Sequence, residues 1–301
     1  TDVDNDNDDD DDDYIGSSKA TKEHQIENYR EGKGLMILTH VTHHGGTEFC
    51  KVIGRNGIND GIAPSFACTG DRDHVMPSEE WKEVRGANAP WSFEETDTNI
   101  DLVRPYFHMM MWDYNTPTKA RHTSLDQTDL THPKLVSVVI MRHPISRILA
   151  GDGVIDKLYP GYNNGTLSHE EWWNYAKNEE IRNTDNFFLR LFGMRNIANN
   201  PFNMEPLTKD DYENAVSIIN QFTFVLDIQC LTEGMIELST QLHLNITTIQ
   251  AAMKKRPVGL APTSDRERIG YDDVYNYLAN KNKWDIELYE YSKSISLVKC
   301  S

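Results

Sequence analysis

Basic residues are scarce in this chain. It has 30 Lys and Arg against 47 Asp and Glu, a formal net charge of −17. Nine of the acidic residues, Asp2, Asp4, Asp6 and Asp8 to Asp13, lie in the first thirteen positions, so the rest of the chain carries −8. A body of this sign does not bind nucleic acid nonspecifically, because that takes clustered Lys and Arg. Cysteines are also few: Cys50, Cys68, Cys230 and Cys300, with no CxxC pair. That spacing argues against a zinc ribbon or a thioredoxin-type site, and it permits two disulfides without requiring them. No apolar run approaches the ~18 residues of a membrane span. The nucleotide loop GxxxxGK[ST] is missing, which argues against a kinase of that type. There is no internal repeat. Disorder of the whole chain is excluded, because 38% of the residues are hydrophobic and six Trp, 13 Tyr and 10 Phe are present.

The Asp run reads as a solvated, self-repelling tail. Its spacing resembles a calcium loop, but no Gly makes the turn at the sixth position and no Glu closes the twelfth. Residues 1–33 are expected to be an acidic, largely disordered tail and lead-in, with a short helix over 21–31. Residues 34–301 are expected to form one domain. Because the chain starts at Thr1, a signal peptide or N-terminal membrane anchor is expected upstream. Two glycosylation sequons, Asn164-Gly165-Thr166 and Asn245-Ile246-Thr247, favour a secretory location.

Hydrophobic patterning then gives the fold. Residues 34–41 and 135–141 are short apolar runs rich in branched residues, and 222–226 is a third; all three read as buried strands. Residues 209–220, 231–242, 271–281 and 284–297 read as helices, with Thr208 as an N-cap supported by Asp210 and Asp211. Residues 57–105 read as loops and short helices. Strands alternating with helices predict a three-layer α/β fold with a central, mostly parallel sheet flanked by helices. Ligands in such sheets bind beyond the carboxyl ends of the strands.

Two strand ends carry the chemistry. After the first strand comes Thr42-His43-His44-Gly45-Gly46-Thr47-Glu48, then Phe49, Val52 and Ile53 at helical spacing. Glycines let a backbone approach an anion, and amides at a helix start point at it. After the second strand comes Arg142-His143-Pro144-Ile145-Ser146-Arg147. Pro144 suits a first helical turn, and Arg142 and Arg147 suit bidentate phosphate contacts. The paired His43 and His44, with His40 nearby, suggest a zinc site, but spacing identifies no third ligand, so no metal is expected.

Together these segments resemble the sulfotransferases that use 3′-phosphoadenosine-5′-phosphosulfate (PAPS), in the Golgi-type, carbohydrate-modifying branch. HVTHHGGTEF (40–49) resembles the 5′-phosphosulfate loop. VVIMRHPISRILA (138–150) resembles the 3′-phosphate strand, loop and helix. DNFFLRLFG (185–193), FTFVLDIQCLTEGMIEL (222–238) and NKWDIELYEYS (282–292) resemble later segments in the same order. The resemblance implies a P-loop-like fold and transfer of a sulfuryl group from PAPS to a hydroxyl or amine, on a glycan or another secretory acceptor. It gives the 5′-phosphosulfate to the amides of 45–48, to Thr47 and to His43 or His44. It gives the 3′-phosphate to Arg142, with Ser146 and Arg147 nearby and Arg266 or Arg268 closing over it. His122 is the expected base, with His40 and His108 as competitors. The family's loop lysine falls on His43 and its phosphate-binding serine on Ala150, which motivates an alternative: a catalytically silent member that binds nucleotide or glycan. Trp172 and Trp173 are read either as a sugar platform or as buried indoles of a helix. A Golgi or other secretory location is implied, with the cytoplasm as the alternative. The acidic body favours a neutral or lightly charged acceptor.

Overall fold

The structure is a computed structural model. It describes residues 21–41, 43–54, 79, 94, 96–113, 125, 128–150, 155–159, 161–162, 167–178, 184–193, 206–254 and 264–300. The acidic run and His122 lie outside these residues, as does the Asn164 sequon.

The chain is α/β. Four parallel strands, β1 (Leu35–His40), β2 (Met109–Asp113), β3 (Leu135–Met141) and β4 (Phe224–Asp227), lie in the order β2-β1-β3-β4, and helices flank them. All seven residues of β3 are buried. Alternate residues of a strand point to opposite faces, so both faces of the sheet are covered here. The chain leaves β1 for β2 on one side and leaves β3 for β4 on the other. The connections therefore diverge between β1 and β3, and that is where such sheets open a crevice.

β1 and β3 form where the branched and aliphatic runs predict them. β4 starts two residues later than expected. Ser137 and Thr223 bond each other's backbone, Ser137 N to Thr223 Oγ1 and Thr223 N to Ser137 Oγ, both at 3.0 Å. That tie holds Thr223 just ahead of the strand. β2 was not foreseen. Its sequence, Met-Met-Met-Trp-Asp, has neither branched residues nor alternation, and it is a strand because it pairs with β1 from Met36↔Met109 onward.

Residues 21–30 are helical. Gln25 Nε2 donates to Leu130 O at 2.8 Å, Thr223 Oγ1 donates to Gln25 Oε1 at 2.8 Å, and Tyr29 is buried. The packed fold thus takes in residues assigned from sequence to the lead-in.

The segments 185–193 and 282–292 clasp one another. Asn186 Oδ1 accepts the amides of Trp284 and Asp285, capping the helix Lys283–Ile295. Asp285 in turn accepts the amides of Phe188 and Leu189, at 2.8 and 2.7 Å, capping Phe187–Gly193. Each helix end satisfies the orphan donors of the other. A second apolar cluster, including Ile145, Ile148, Trp172, Tyr175, Ile269 and Leu278, lies just past the end of β3.

Cys230 and Cys300 are bonded across 70 residues of sequence, and Cys50 is also disulfide-bonded. Closing so long a loop removes much unfolded-chain entropy. Cys300→Ser is expected to lower stability by about 2–5 kcal/mol, read as a lower urea midpoint without reductant. An unchanged midpoint would mean the bridge adds nothing. Among the described residues no helix is long and apolar enough to cross a membrane.

Candidate functional site

The loop after β1 and the turn after β3 meet at the carboxyl end of the sheet. His43 and Gly45 have left-handed backbones, φ 66° and 81°. Such a backbone costs a glycine little and other residues more. Gly46 is needed for a different reason: a Cβ there would stand 2.4 Å from His40 Cδ2. Gly46→Ala is therefore expected to push the loop off the His40 ring and cost about 1–3 kcal/mol. Thermal melting checks this, and an unaltered Tm would contradict the close approach.

Arg142 fastens the two segments. Its Nη1 donates to His43 O at 2.6 Å, a charge-assisted bond between the β3 end and the β1 loop. Its Nε is buried and makes no hydrogen bond, so the guanidinium retains a donor for something more. Thr47 and Glu48 lie in the first turn of the helix Gly46–Phe49, and Glu48 pairs with Lys51 at 3.2 Å.

His44 corrects the sequence reading. Its ring is buried, its Nδ1 donates to Ile140 O at 2.8 Å, and it packs on Phe188 at 4.8 Å. Burial first, then the Arg147 and Arg142 charges, hold its pKa well below the usual histidine range. Its amide is also occupied, bonded to Val41 O at 3.1 Å. His44 is thus a neutral core residue with no charge to offer an anion.

Arg147 is turned inward too. It is 3% exposed and its guanidinium lies 3.7 Å from the centre of the Phe187 ring. Its charge acts on His44 and on Asp285. A cation so placed balances a buried carboxylate and has almost no face on solvent. Ser146 Oγ donates to Asp265. Of Arg266 and Arg268, only Arg268 faces this turn, with Nη2 on Leu149 O at 2.8 Å. Arg266 is taken up by Asp272, at 2.6 Å, and by Asn276, at 3.0 Å.

The competing bases differ in place. His108 is a core residue at the start of β2, the opposite end of the sheet from the crevice. Its Nδ1 accepts from Tyr29 OH at 2.9 Å, its Nε2 faces Gly54 O at 3.4 Å, and burial pushes its pKa down to about 4. It is no base for a crevice reaction. His40 closes β1 beside Gly46, within the crevice wall.

Beside the turn lies a cavity of about 450 Å³, lined by Ala150, Tyr162, Leu167, Trp172 and Arg268 among others. Trp172 is a buried indole in the helix His169–Lys177. Trp173 donates to Asp273 at 3.2 Å and stands edge-on to Tyr277. Trp172 follows the buried-indole reading and also walls the cavity, whereas Trp173 is only partly buried on the same helix.

Sequence reasoning missed His143 and Asp265 as a pair. His143 Nδ1 is 3.6 Å from Asp265 Oδ2, and its ring stands edge-on to Tyr289, whose hydroxyl donates to Asp227. The serine and glutamate of Ser264-Asp265-Arg266-Glu267 form a capping box, a pattern visible in sequence that would have placed a helix start there. Among the described residues no three His, Cys, Asp or Glu side chains group as metal ligands. No protein-family model, curated protein or solved structure matches the chain.

Proposed function

We propose that this chain is a PAPS-dependent sulfotransferase acting on a glycan or another hydroxyl- or amine-bearing acceptor, on a three-layer P-loop-like fold. The observation that carries the reading is the Arg142–His43 bond. It joins the segment that resembles a 5′-phosphosulfate loop to the segment that resembles a 3′-phosphate turn, at the crevice between β1 and β3. The sheet order and the glycine loop after β1 support the P-loop-like architecture. The 450 Å³ cavity beside Ala150 and Arg268 offers room for a nucleoside next to that turn.

On this reading the amides of 45–48, Thr47 and His43 hold the phosphosulfate, and Arg142 takes the 3′-phosphate with its spare Nε–H. The acceptor oxygen attacks sulfur in line, the bond from sulfur to the phosphate oxygen breaks, and adenosine 3′,5′-bisphosphate leaves. The acceptor proton passes to a base, His122 or His40. Catalysis is positioning and charge stabilisation, as in phosphoryl transfer. Disulfides at Cys50 and Cys230 suit an oxidising secretory compartment such as the Golgi lumen. The second sequon supports the same location: Asn245 is exposed and caps the helix Ile246–Lys254 through Oδ1, bonded to Thr248 N.

A specific observation favours the silent alternative. Asp265 puts a carboxylate on Ser146, where the donor's phosphate would bind. Incubation with radiolabelled PAPS and a panel of desulfated glycans separates the readings. Transfer of label supports the enzyme. Binding of PAPS without transfer to any acceptor supports the silent member, and absence of binding sinks both.

A further inference from the structure

Three polar side chains converge on one carboxylate beside the end of β3. Ser146 Oγ donates to Asp265 Oδ2, and His143 Nδ1 is 3.6 Å from the same oxygen. Arg268 Nη1 is 3.9 Å from Oδ1, and Arg142 and Asp265 also feel each other's charge. A guanidinium, an imidazole and a hydroxyl around one oxygen pair, with the Arg142 charge acting from further off, form the ligand set an anion takes. The carboxylate is firmly held. Ser264 and Glu267 close a capping box around it, Arg268 anchors to Leu149 O, and Ile269 is buried in the second apolar cluster. Burial alone would raise its pKa. The nearby His143 imidazole, the hydrogen bond from Ser146 and the Arg268 charge outweigh that and hold it below the ordinary carboxylate range. The site therefore holds a full negative charge at neutral pH.

A phosphate monoester carries up to two negative charges, and two anions do not share one ring of donors. We propose that the Asp265 carboxylate is a built-in competitor for the anion site formed by Arg142, His143, Ser146 and Arg268, so that a phosphate group binds there only by displacing it. Asp265 then sets how much a 3′-phosphate adds to nucleotide affinity. Its side chain is 19% exposed, so it has a path into solvent. The proposal rests on the sulfotransferase reading only for which phosphate arrives.

Titration calorimetry with inorganic phosphate, adenosine 3′,5′-bisphosphate and adenosine 5′-monophosphate tests it, on the wild type, Asp265→Asn and Asp265→Ser. Asn keeps the shape and an acceptor for Ser146 while removing the charge, and Ser serves if Asn fails to fold. The variants are expected to bind phosphate and the bisphosphate about tenfold or more tightly, with the monophosphate unchanged. Tighter phosphate binding with no nucleotide binding would uphold the competitor and sink the donor reading. Bisphosphate binding equal in all three proteins would do the reverse. Binding of neither ligand by any of the three would overturn both.

Discussion

Arg142→Ala is expected to abolish measurable donor binding and to loosen the loop after β1. The guanidinium does two things at once. It holds His43 O through a short charge-assisted bond, worth about 1.5–3 kcal/mol, and under the proposed function its unbonded Nε is the donor that would meet the 3′-phosphate. Truncating one partner of a buried charge pair costs about 2–5 kcal/mol, so affinity should fall about 100-fold or more. Arg142→Lys separates the two roles. An ammonium is a point charge without the planar fork, so it can serve the carbonyl or the phosphate but not both in the same geometry. Its affinity should lie between those of the wild type and Arg142→Ala, with the fold intact by circular dichroism. Equal affinity in all three proteins would remove Arg142 from the site.

Acid should unfold this protein through its buried histidines. His108 is held neutral with its pKa lowered to about 4 by burial, and His44 is shifted the same way. The unfolded chain protonates near pH 6.5, so as pH falls it takes up protons before the folded state does. The stabilisation is complete above pH 6.5 and is lost towards pH 4. For His108 alone that is about 3 kcal/mol. Asp285 opposes it. Burial raises its pKa to about 6, against the amides of Phe188 and Leu189. It therefore regains about 3 kcal/mol as pH falls from 6 to 4. Two histidines against one carboxyl leave a net loss in acid. His108→Gln supplies a non-titrating acceptor for Tyr29 OH and a donor for Gly54 O. Urea midpoints between pH 4 and 7 should therefore depend less on pH in this variant, and an unchanged dependence would contradict the assignment.

Much of the fold was legible because the information was local. The apolar runs of β1 and β3 and the Thr208 cap read correctly for reasons internal to each segment. β2 did not, because a run of methionines becomes a strand only when β1 is beside it. The site divides the same way. Gly45 and Gly46 marked the loop, and Arg142 marked the turn. The direction of each side chain was not legible. His44 is a core residue because Ile140 and Phe188, remote in sequence, close around it. Arg147, one helical turn from Arg142, faces Phe187 instead of the loop. Asp265 reaches Ser146 across 119 residues of sequence, and no pattern within either segment announces the other.

The crevice between β1 and β3 is proposed to hold the nucleotide. A crystal structure of the protein grown with adenosine 3′,5′-bisphosphate tests it most directly. The expected density has the 5′-phosphate against the amides of 45–48, the 3′-phosphate against Arg142 and Ser146, and Asp265 swung away. Density for the nucleotide at any other place, with the Arg142–His43 crevice closed and empty, would contradict it.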